Sequence, residues 1–142
     1  MKMTEKYKIL GKYIKDMSSE TPDVETYIFV QDHIFKYQLN INIDTKTIKN
    51  KIVEVNINLK FEDKEVGNKK SHFEIVFSTV VKILDSTLDN KELEKIMLCE
   101  VPNKVYPDLE KSFLNLLHNS GYPGVKLGNK IDFEKLFAQR KG

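Results

Sequence analysis

Alternation of apolar and polar residues in two neighbouring segments constrains this fold more than any other feature of the sequence. In residues 35–43 (FKYQLNINI) every odd position is apolar, and the same pattern returns from Val53 to Phe61 (VEVNINLKF). A period of two residues is typical of a β-strand with one buried face. The intervening Thr47 to Lys51 is long enough only for a hairpin, so we predict that the two strands are antiparallel.

Two further strands are expected on either side of this pair. Residues 72–84 (HFEIVFSTVVKIL) carry apolar side chains on both parities, which predicts a strand covered on both faces. The preceding EDKEVGNKK contains Gly67, which permits the positive φ of a hairpin turn. Near the N-terminus, Tyr7, Ile9 and Tyr13 indicate a first strand that ends before SSETPD, a turn centred on Pro22.

The period changes after residue 84, where helix signals replace strand signals. Asp89, followed three residues later by Glu92, predicts an N-cap and a capping box at the start of a short helix. We expect Pro102 to interrupt this helix, which then resumes until Gly121 stops it. Pro107 is expected only within the first turn of the resumed helix, where a missing N–H is tolerated.

The order of elements predicts an α+β fold. It would have a four-stranded antiparallel sheet, followed by a broken long helix and a short C-terminal helix from about Asp132, with the helices packed on one side of the sheet. A chain of 142 residues is long enough to bury a core without disulfides. We find no internal repeat and no shift in composition, so we expect residues 1–142 to form a single domain.

Charge and hydropathy limit the surroundings and partners of the chain. The 23 basic and 21 acidic residues are nearly balanced and the lysines are scattered, so we expect no nucleic-acid partner. No apolar run approaches the ~18 residues that membrane insertion requires, and the N-terminus lacks the apolar stretch of a signal peptide. The single cysteine, Cys99, fits a reducing compartment. A cytoplasmic location is therefore expected.

Motifs of catalysis and cofactor binding are absent from the sequence. It contains no GxxxxGK[ST], GxGxxG, HExxH or GxSxG pattern. His33, His72 and His118 are far apart in the sequence and have no second ligand at a familiar metal spacing. Cys99 lies in an apolar helical stretch and is interpreted as a small buried hydrophobe. We expect no catalytic residue, no metal and no cofactor, and predict that the protein is not an enzyme.

Three segments carry motifs that occur together, in the same order, in one known family. Residues 13–22 (YIKDMSSETP) match YxKDxSxExP, while residues 101–113 (VPNKVYPDLEKSF) resemble CPNxxFPxAR and residues 121–137 (GYPGVKLGNKIDFEKLF) resemble GxFPxLxLxPVxFxxLF. The matching positions are Tyr13, Lys15, Asp16, Ser18, Glu20, Pro22, Pro102, Asn103, Tyr106, Pro107, Gly121, Tyr122, Pro123, Leu127, Ile131, Phe133, Leu136 and Phe137. The chain thus resembles the SecB family of bacterial protein-export chaperones over nearly its whole length.

This resemblance implies an ATP-independent chaperone, or holdase, that binds unfolded or non-native polypeptides in a hydrophobic groove. It also implies a homotetramer, arranged as a dimer of dimers, with unfolded preproteins as clients. The resemblance implies that the loop and the final helix line this groove, so the residues expected to contact client peptides are Tyr122, Val125, Ile131, Phe133 and Phe137. Phe35 is expected to join them, because it lies near the position of a family aromatic in the loop before the second strand. The alternative is that at least half of these apolar side chains pack in the core of the monomer.

The chain departs from the family pattern where the family binds the motor protein SecA. An acidic residue and a glycine are expected around the fourth strand, but Val76 replaces the acid and no glycine follows. The chain also ends in FAQRKG, whereas family tails are commonly acidic. Asp16 and Glu20 remain as the candidates for SecA docking, which we expect to be weak.

Two other functions remain open at this point. One is a SecB-like chaperone dedicated to a single partner, such as the antitoxin of a toxin–antitoxin module. The other is an unrelated α+β binding module or RNA-binding module.

Overall fold

The sheet has four antiparallel strands, as the sequence predicts. The computed structural model describes residues 5–65, 67, 69–127 and 131–141. Its strands are β1 (Tyr7–Glu20), β2 (Gln38–Lys49), β3 (Ile52–Glu62) and β4 (His72–Ile83). They are arranged in the order β1-β4-β3-β2, and every neighbouring pair is antiparallel. Strands β1 and β2 therefore form the two edges of the sheet.

The connection from β1 to β2 contains a helix that the sequence analysis did not predict. Strand β1 extends to Glu20 rather than ending before SSETPD, and α1 (Val24–His33) follows. Asp23 starts this helix, because its carboxylate accepts a hydrogen bond of 2.8 Å from the backbone N–H of Thr26. Helix α1 is rich in β-branched and aromatic residues, which have weak helix propensity and conceal the helical pattern.

Strands β2 and β3 confirm the predicted hairpin but shift its boundaries. The turn is tighter than expected, with β2 running to Lys49 and Lys51 adopting a φ of 65°. Strand β2 begins at Gln38, so Phe35 lies in a 3-10 turn (Ile34–Lys36) and not in the strand. In β4, Val76 and Val80 are half-buried, so the expected full cover on both faces is not reached within this chain.

The long helix begins as predicted and continues further than predicted. Helix α2 (Asn90–Lys95) starts with a capping box in which Asp89 and Glu92 each bond to the backbone of the other. A π-helical turn (Ile96–Glu100) follows, and α3 (Val101–Asn119) continues from it without a gap. The break expected at Pro102 is therefore a local change of helix type.

Proline chemistry accounts for the π-turn. Pro102 has no N–H, so it cannot donate an α-helical bond to the carbonyl of Leu98, and its ring crowds that carbonyl. The helix widens before it, and the N–H of Val101 donates to the carbonyl of Ile96, five residues earlier. Pro107 lies inside α3, so the prediction that it would lie in the first turn was wrong. The burial of the core face of α3 offsets the bond that Pro107 removes.

Helix α3 packs against one face of the sheet, which we call the inner face. Gly121, with a φ of +108°, ends α3 as predicted, and α4 (Phe133–Lys141) packs against the π-turn. The most completely buried side chains are Val30, Val55, Leu59, Ile57, Phe73, Ile75, Val81, Ile96, Val101, Leu109, Phe113 and Leu117. The opposite side of the sheet, the outer face, is predominantly polar. In the described ranges, no helix is sufficiently long and apolar to span a membrane.

Candidate functional site

An apolar groove lies between the edge strand β2 and helix α4. Ile41 and Ile43 line it from β2, Leu98 from the π-turn, and Leu136 and Phe137 from α4, around a cavity of about 290 Å³. One edge of β2 pairs with β3, and no other strand in the described part of the chain pairs with its second edge. The groove therefore combines apolar side chains with the edge of β2 that points away from β3.

A second cavity, of about 610 Å³, begins beside Thr45 and Thr47 of β2 and extends across β3 and the end of β4 towards α2. Ile41, Ile43, Thr45 and Thr47 alternate along the strand, so their side chains share the inner face over roughly 20 Å. Leu98 lines both cavities. The other residues of the second cavity are Lys51, Val53, Ile83, Asp85, Ser86, Leu88, Asn90, Leu93, Glu94 and Met97. We call the two adjoining cavities together the β2 groove.

Three of the six residues expected to contact clients lie in the core. Tyr122, Val125 and Phe133 are 3%, 9% and 2% exposed. The ring of Phe133 packs edge-on against Tyr106, with 5.6 Å between the centroids. The same burial raises the pKa of Tyr106 to about 12, because its ionised form would lose hydration. These three residues therefore belong to the core and line neither cavity of the β2 groove.

Tyr122 joins the end of α3 to helix α1 and the sheet. Its ring lies 5.3 Å from that of Tyr27 and 5.6 Å from that of Phe73, and its hydroxyl lies 3.2 Å from Ser71 Oγ. The Tyr27 hydroxyl donates a 2.8 Å hydrogen bond to the carbonyl of Gly121. A Cβ atom at Gly121 would lie 2.5 Å from the Tyr27 ring, so this close approach requires glycine as well as a positive φ.

The other three predicted residues lie at separate places. Phe137 is half-buried and lines the β2 groove. Ile131 is also half-buried and, with Phe133 and Asn103, lines a separate cavity of about 350 Å³. Phe35 is 77% exposed and stacks on His33 with 6.4 Å between the ring centroids, on the turn before β2. The structure therefore does not gather the six residues into one surface.

Sequence reasoning missed most of the groove-lining residues. Ile41 and Ile43 were assigned to the buried face of a strand, but the position of β2 at the sheet edge brings them beside α4. Strand order depends on tertiary pairing, which period-two alternation does not specify. Leu136 belongs to the matched C-terminal motif and was the available signal. No sequence pattern marked Leu98 as a groove residue, because its position depends on a π-turn before Pro102 that the sequence analysis did not predict.

Asp16 and Glu20 are exposed on the outer face, along the other edge strand. Asp16 is paired with Val76 and Glu20 with His72, so these side chains lie on the same face. Glu74, two residues from Val76, shares this face as well. Asn58 donates a 2.6 Å hydrogen bond to its carboxylate, which lowers the pKa of Glu74. A carboxylate is thus present near the position where the family pattern expects one.

A buried polar network occupies the middle of the outer face. Glu54 accepts hydrogen bonds from Lys15 Nζ at 2.9 Å, from the Tyr13 hydroxyl at 2.7 Å and from Asn56 Nδ2 at 3.1 Å. These bonds, with that from Lys15 contributing most, lower the pKa of Glu54 to about 2. The network ties β1 to β3 across β4 and is best explained as a structural element.

Metal or nucleophile chemistry has no support at these places. Over residues 5–65, 67, 69–127 and 131–141, no group of three or more His, Cys, Asp or Glu side chains is placed to hold a metal. Cys99 is buried, and burial raises the pKa of its thiol, which suppresses the nucleophilic thiolate.

Comparison with known proteins identifies the family. Residues 2–142 match the sequence model of the family described as "Preprotein translocase subunit SecB". A relative in Pelagibacter ubique (strain HTCC1062), provisionally named protein-export protein SecB, is 60% identical over 138 residues, covering 97% of this chain and 99% of that protein. The protein-export protein SecB of Xanthobacter autotrophicus is 26% identical over 132 residues, covering 93% and 83%.

A solved structure shares the fold. It is a SecB-like chaperone of Mycobacterium tuberculosis in complex with a peptide from the HigA1 antitoxin, and it superposes with a TM-score of 0.62 at 12% identity. The superposition covers 89% of this chain and 91% of the other. The family match over almost every residue, the relative at 60% identity and the α+β architecture agree, and this chain belongs to the SecB family.

Proposed function

We propose that this protein is a cytoplasmic, ATP-independent chaperone that holds unfolded or non-native polypeptides for protein export. Membership of the SecB family and a 60% identical relative named for export support the general role. The observation that carries the mechanism is the β2 groove, in which apolar side chains border a strand at the edge of the sheet.

Such a groove suits an unfolded chain for two physical reasons. An extended segment can add to the edge of β2 through backbone hydrogen bonds, which every sequence offers except at proline. Alternate side chains of that segment would then contact Ile41, Leu136 and Phe137 and bury apolar area. Affinity would depend on general hydrophobicity more than on a specific sequence, and no nucleotide is needed.

The exposed Phe35 and the half-buried Ile131 extend this proposal beyond the groove. Both were expected to contact clients, and both keep accessible apolar surface. Tyr122, Val125 and Phe133 are proposed to contact clients only if the loop after α3 moves away from the core. The first contacts would therefore involve Phe137 and the β2 side chains.

We also propose weak docking of SecA on the outer face, through Asp16 and Glu20. Their carboxylates share that face with Glu74, but Lys15 and Lys60 lie on it too and reduce the net negative potential. Calorimetric titration with the C-terminal peptide of the cognate SecA should show weak binding that Asp16→Ala reduces further. Submicromolar affinity that Asp16→Ala abolishes would contradict the proposed weakness.

Suppression of aggregation tests the proposed function directly. A chemically denatured protein is diluted into buffer with and without this chaperone, and light scattering is followed with and without ATP. We expect scattering to fall in proportion to the chaperone added, and equally in both conditions. Protection of several unrelated clients would support the holdase role. Protection of none of them, together with binding to a single antitoxin, would contradict it.

A further inference from the structure

Leu98 occupies a particular position in the β2 groove, because it lines both of the cavities that form it. On the strand side, the smaller cavity ends at Ile43 and the larger one begins at Thr45, the next residue on the inner face. Leu98 therefore lies across from the junction between these two positions of β2. Its side chain is half-buried, so it retains surface that an occupant of the groove would contact.

The π-turn is what brings this leucine to the junction. A π-helical turn widens the helix by one residue and displaces the side chains within it from α-helical positions. The turn here spans Ile96–Glu100 and packs against both α4 and β2, with Leu98 at its centre. Pro102 has no N–H to donate to the Leu98 carbonyl, so the α-helical bond at the centre of this turn is missing.

The two sides of the junction differ in size and in polarity. The cavity of about 290 Å³ is bordered mainly by aliphatic and aromatic side chains from β2 and α4. The cavity of about 610 Å³ is twice as large and has a rim of polar and charged side chains, including Thr45, Thr47, Lys51, Asp85 and Asn90. An extended segment lying along β2 would meet the apolar cavity, then Leu98, and then the mouth of the wider, partly polar cavity, which extends away from β2 towards β4 and α2.

We propose that Leu98 is a specificity-determining residue that divides the groove and restricts the client side chain facing it to a small one. The inference rests on the proposed function, with an extended segment of an unfolded polypeptide as the occupant. Groove-facing side chains of such a segment recur about every 6.6–6.8 Å, so three or four of them fit along the roughly 20 Å from Ile41 to Thr47. The favoured pattern is bulky and apolar, then small, then bulky, at every second residue.

The test uses two fluorescent peptides of identical composition, with polar residues at the alternate positions. In the first, the groove-facing residues are Leu, Gly and Leu; in the second they are Gly, Leu and Leu. The second peptide must either place a leucine against Leu98 or leave one cavity unfilled. Dissociation constants are measured by fluorescence anisotropy for the intact protein, for Leu98→Ala and for the control variant Leu114→Ala. Leu114 is also a half-buried leucine in the same helical run, but it lines neither cavity.

We expect the intact protein to bind the first peptide about tenfold more tightly, since overpacking a filled site is costly. Leu98→Ala should reduce this preference to within about twofold, and Leu114→Ala should retain it. Thermal melting shows whether each variant is folded. If Leu98→Ala does not fold, the milder variant Leu98→Val replaces it, and we expect its preference for the first peptide to be intermediate.

The possible failures are distinguishable. If the intact protein binds neither peptide, both the proposed function and the role of Leu98 are wrong. If it binds both peptides equally, or if the preference survives unchanged in the Leu98 variants, clients bind but Leu98 does not select among them.

Discussion

Two phenylalanines one helical turn apart in α4 show how burial separates roles at the scale of single residues. Phe133 is 2% exposed and packs on Tyr106, whereas Phe137 is half-buried and lines the β2 groove. Phe133→Ala should lower the free energy of unfolding by about 3–5 kcal/mol, because it leaves a cavity in the core. Phe137→Ala should lower it by only about 1 kcal/mol, because its side chain is partly exposed in the native state.

The same two variants should differ in the opposite sense in client binding. Phe137→Ala should weaken binding of an unfolded polypeptide about tenfold or more, since roughly 1.5–3 kcal/mol of apolar contact is lost. Urea denaturation and fluorescence anisotropy measure the two effects on the same samples. Substantial unfolding by Phe137→Ala, without a selective loss of client binding, would place Phe137 in the core and remove it from the groove.

Glu54 gives a prediction that depends on pH. The native state lowers its pKa from the usual 4.5 to about 2, so its hydrogen bonds stabilise the fold above the unfolded-state pKa. That contribution is lost as the pH falls from 4.5 towards 2. Glu54→Gln should therefore cost about 1–3 kcal/mol at pH 7, and the difference from the intact protein should shrink between pH 4.5 and 2. Urea denaturation at a series of pH values measures this difference, and a gap that stays constant would contradict the cause given for the pKa.

At the scale of secondary structure, the edge of β2 that points away from β3 is the element on which the proposed function depends most directly. If an extended client adds to this edge, the β2 amides that point away from β3 acquire hydrogen bonds and exchange their hydrogens more slowly. Hydrogen exchange followed by mass spectrometry should show new protection in residues 38–49 with an unfolded client and none with the same client folded. Protection confined to the loop after α3 would contradict strand addition.

The elements also show how far sequence alone determines this fold. Alternation predicted β2 and β3 because their burial has a period of two, and the capping box at Asp89 and the stop at Gly121 are local chemistry that short motifs encode. Helix α1 was missed because Asp23 was its only clear signal and its residues have weak helix propensity. The π-turn was predicted as a break, since Pro102 shows that α-helical bonding must change but not how.

The candidate site was less predictable than the fold because it depends on which elements become neighbours. Phe137 was assigned to a groove and lies in one, but its partners come from an edge strand and a helical turn that are distant in the sequence. Apolar residues in a motif follow the same sequence pattern whether they face a core or a groove. The structure separates the two cases, because Tyr122 packs on Tyr27 and Phe73 in the core whereas Phe137 lines the β2 groove.

At the scale of the whole molecule, the edge strand β1 carries apolar surface that a single chain leaves uncovered. Leu10, Ile14 and Met17 are 48%, 42% and 46% exposed. We expect copies of the chain to cover them and to assemble into the tetramer that the family resemblance implies. Light scattering should give about 66 kDa, four times 16.6 kDa. A stable monomer at micromolar concentration would contradict this assembly.

The central claim is that unfolded polypeptides bind along the edge and inner face of β2, and two exposed residues allow a direct test of it. Thr45 lines the groove, whereas Lys82 of β4 is paired with Ile52 on the outer face, two strands away from that edge. Both side chains are exposed, and a photoreactive amino acid is placed at each position in turn. The account predicts strong crosslinking of an unfolded client from position 45 and little from position 82. Equal yields from the two positions, or a higher yield from position 82, would contradict it.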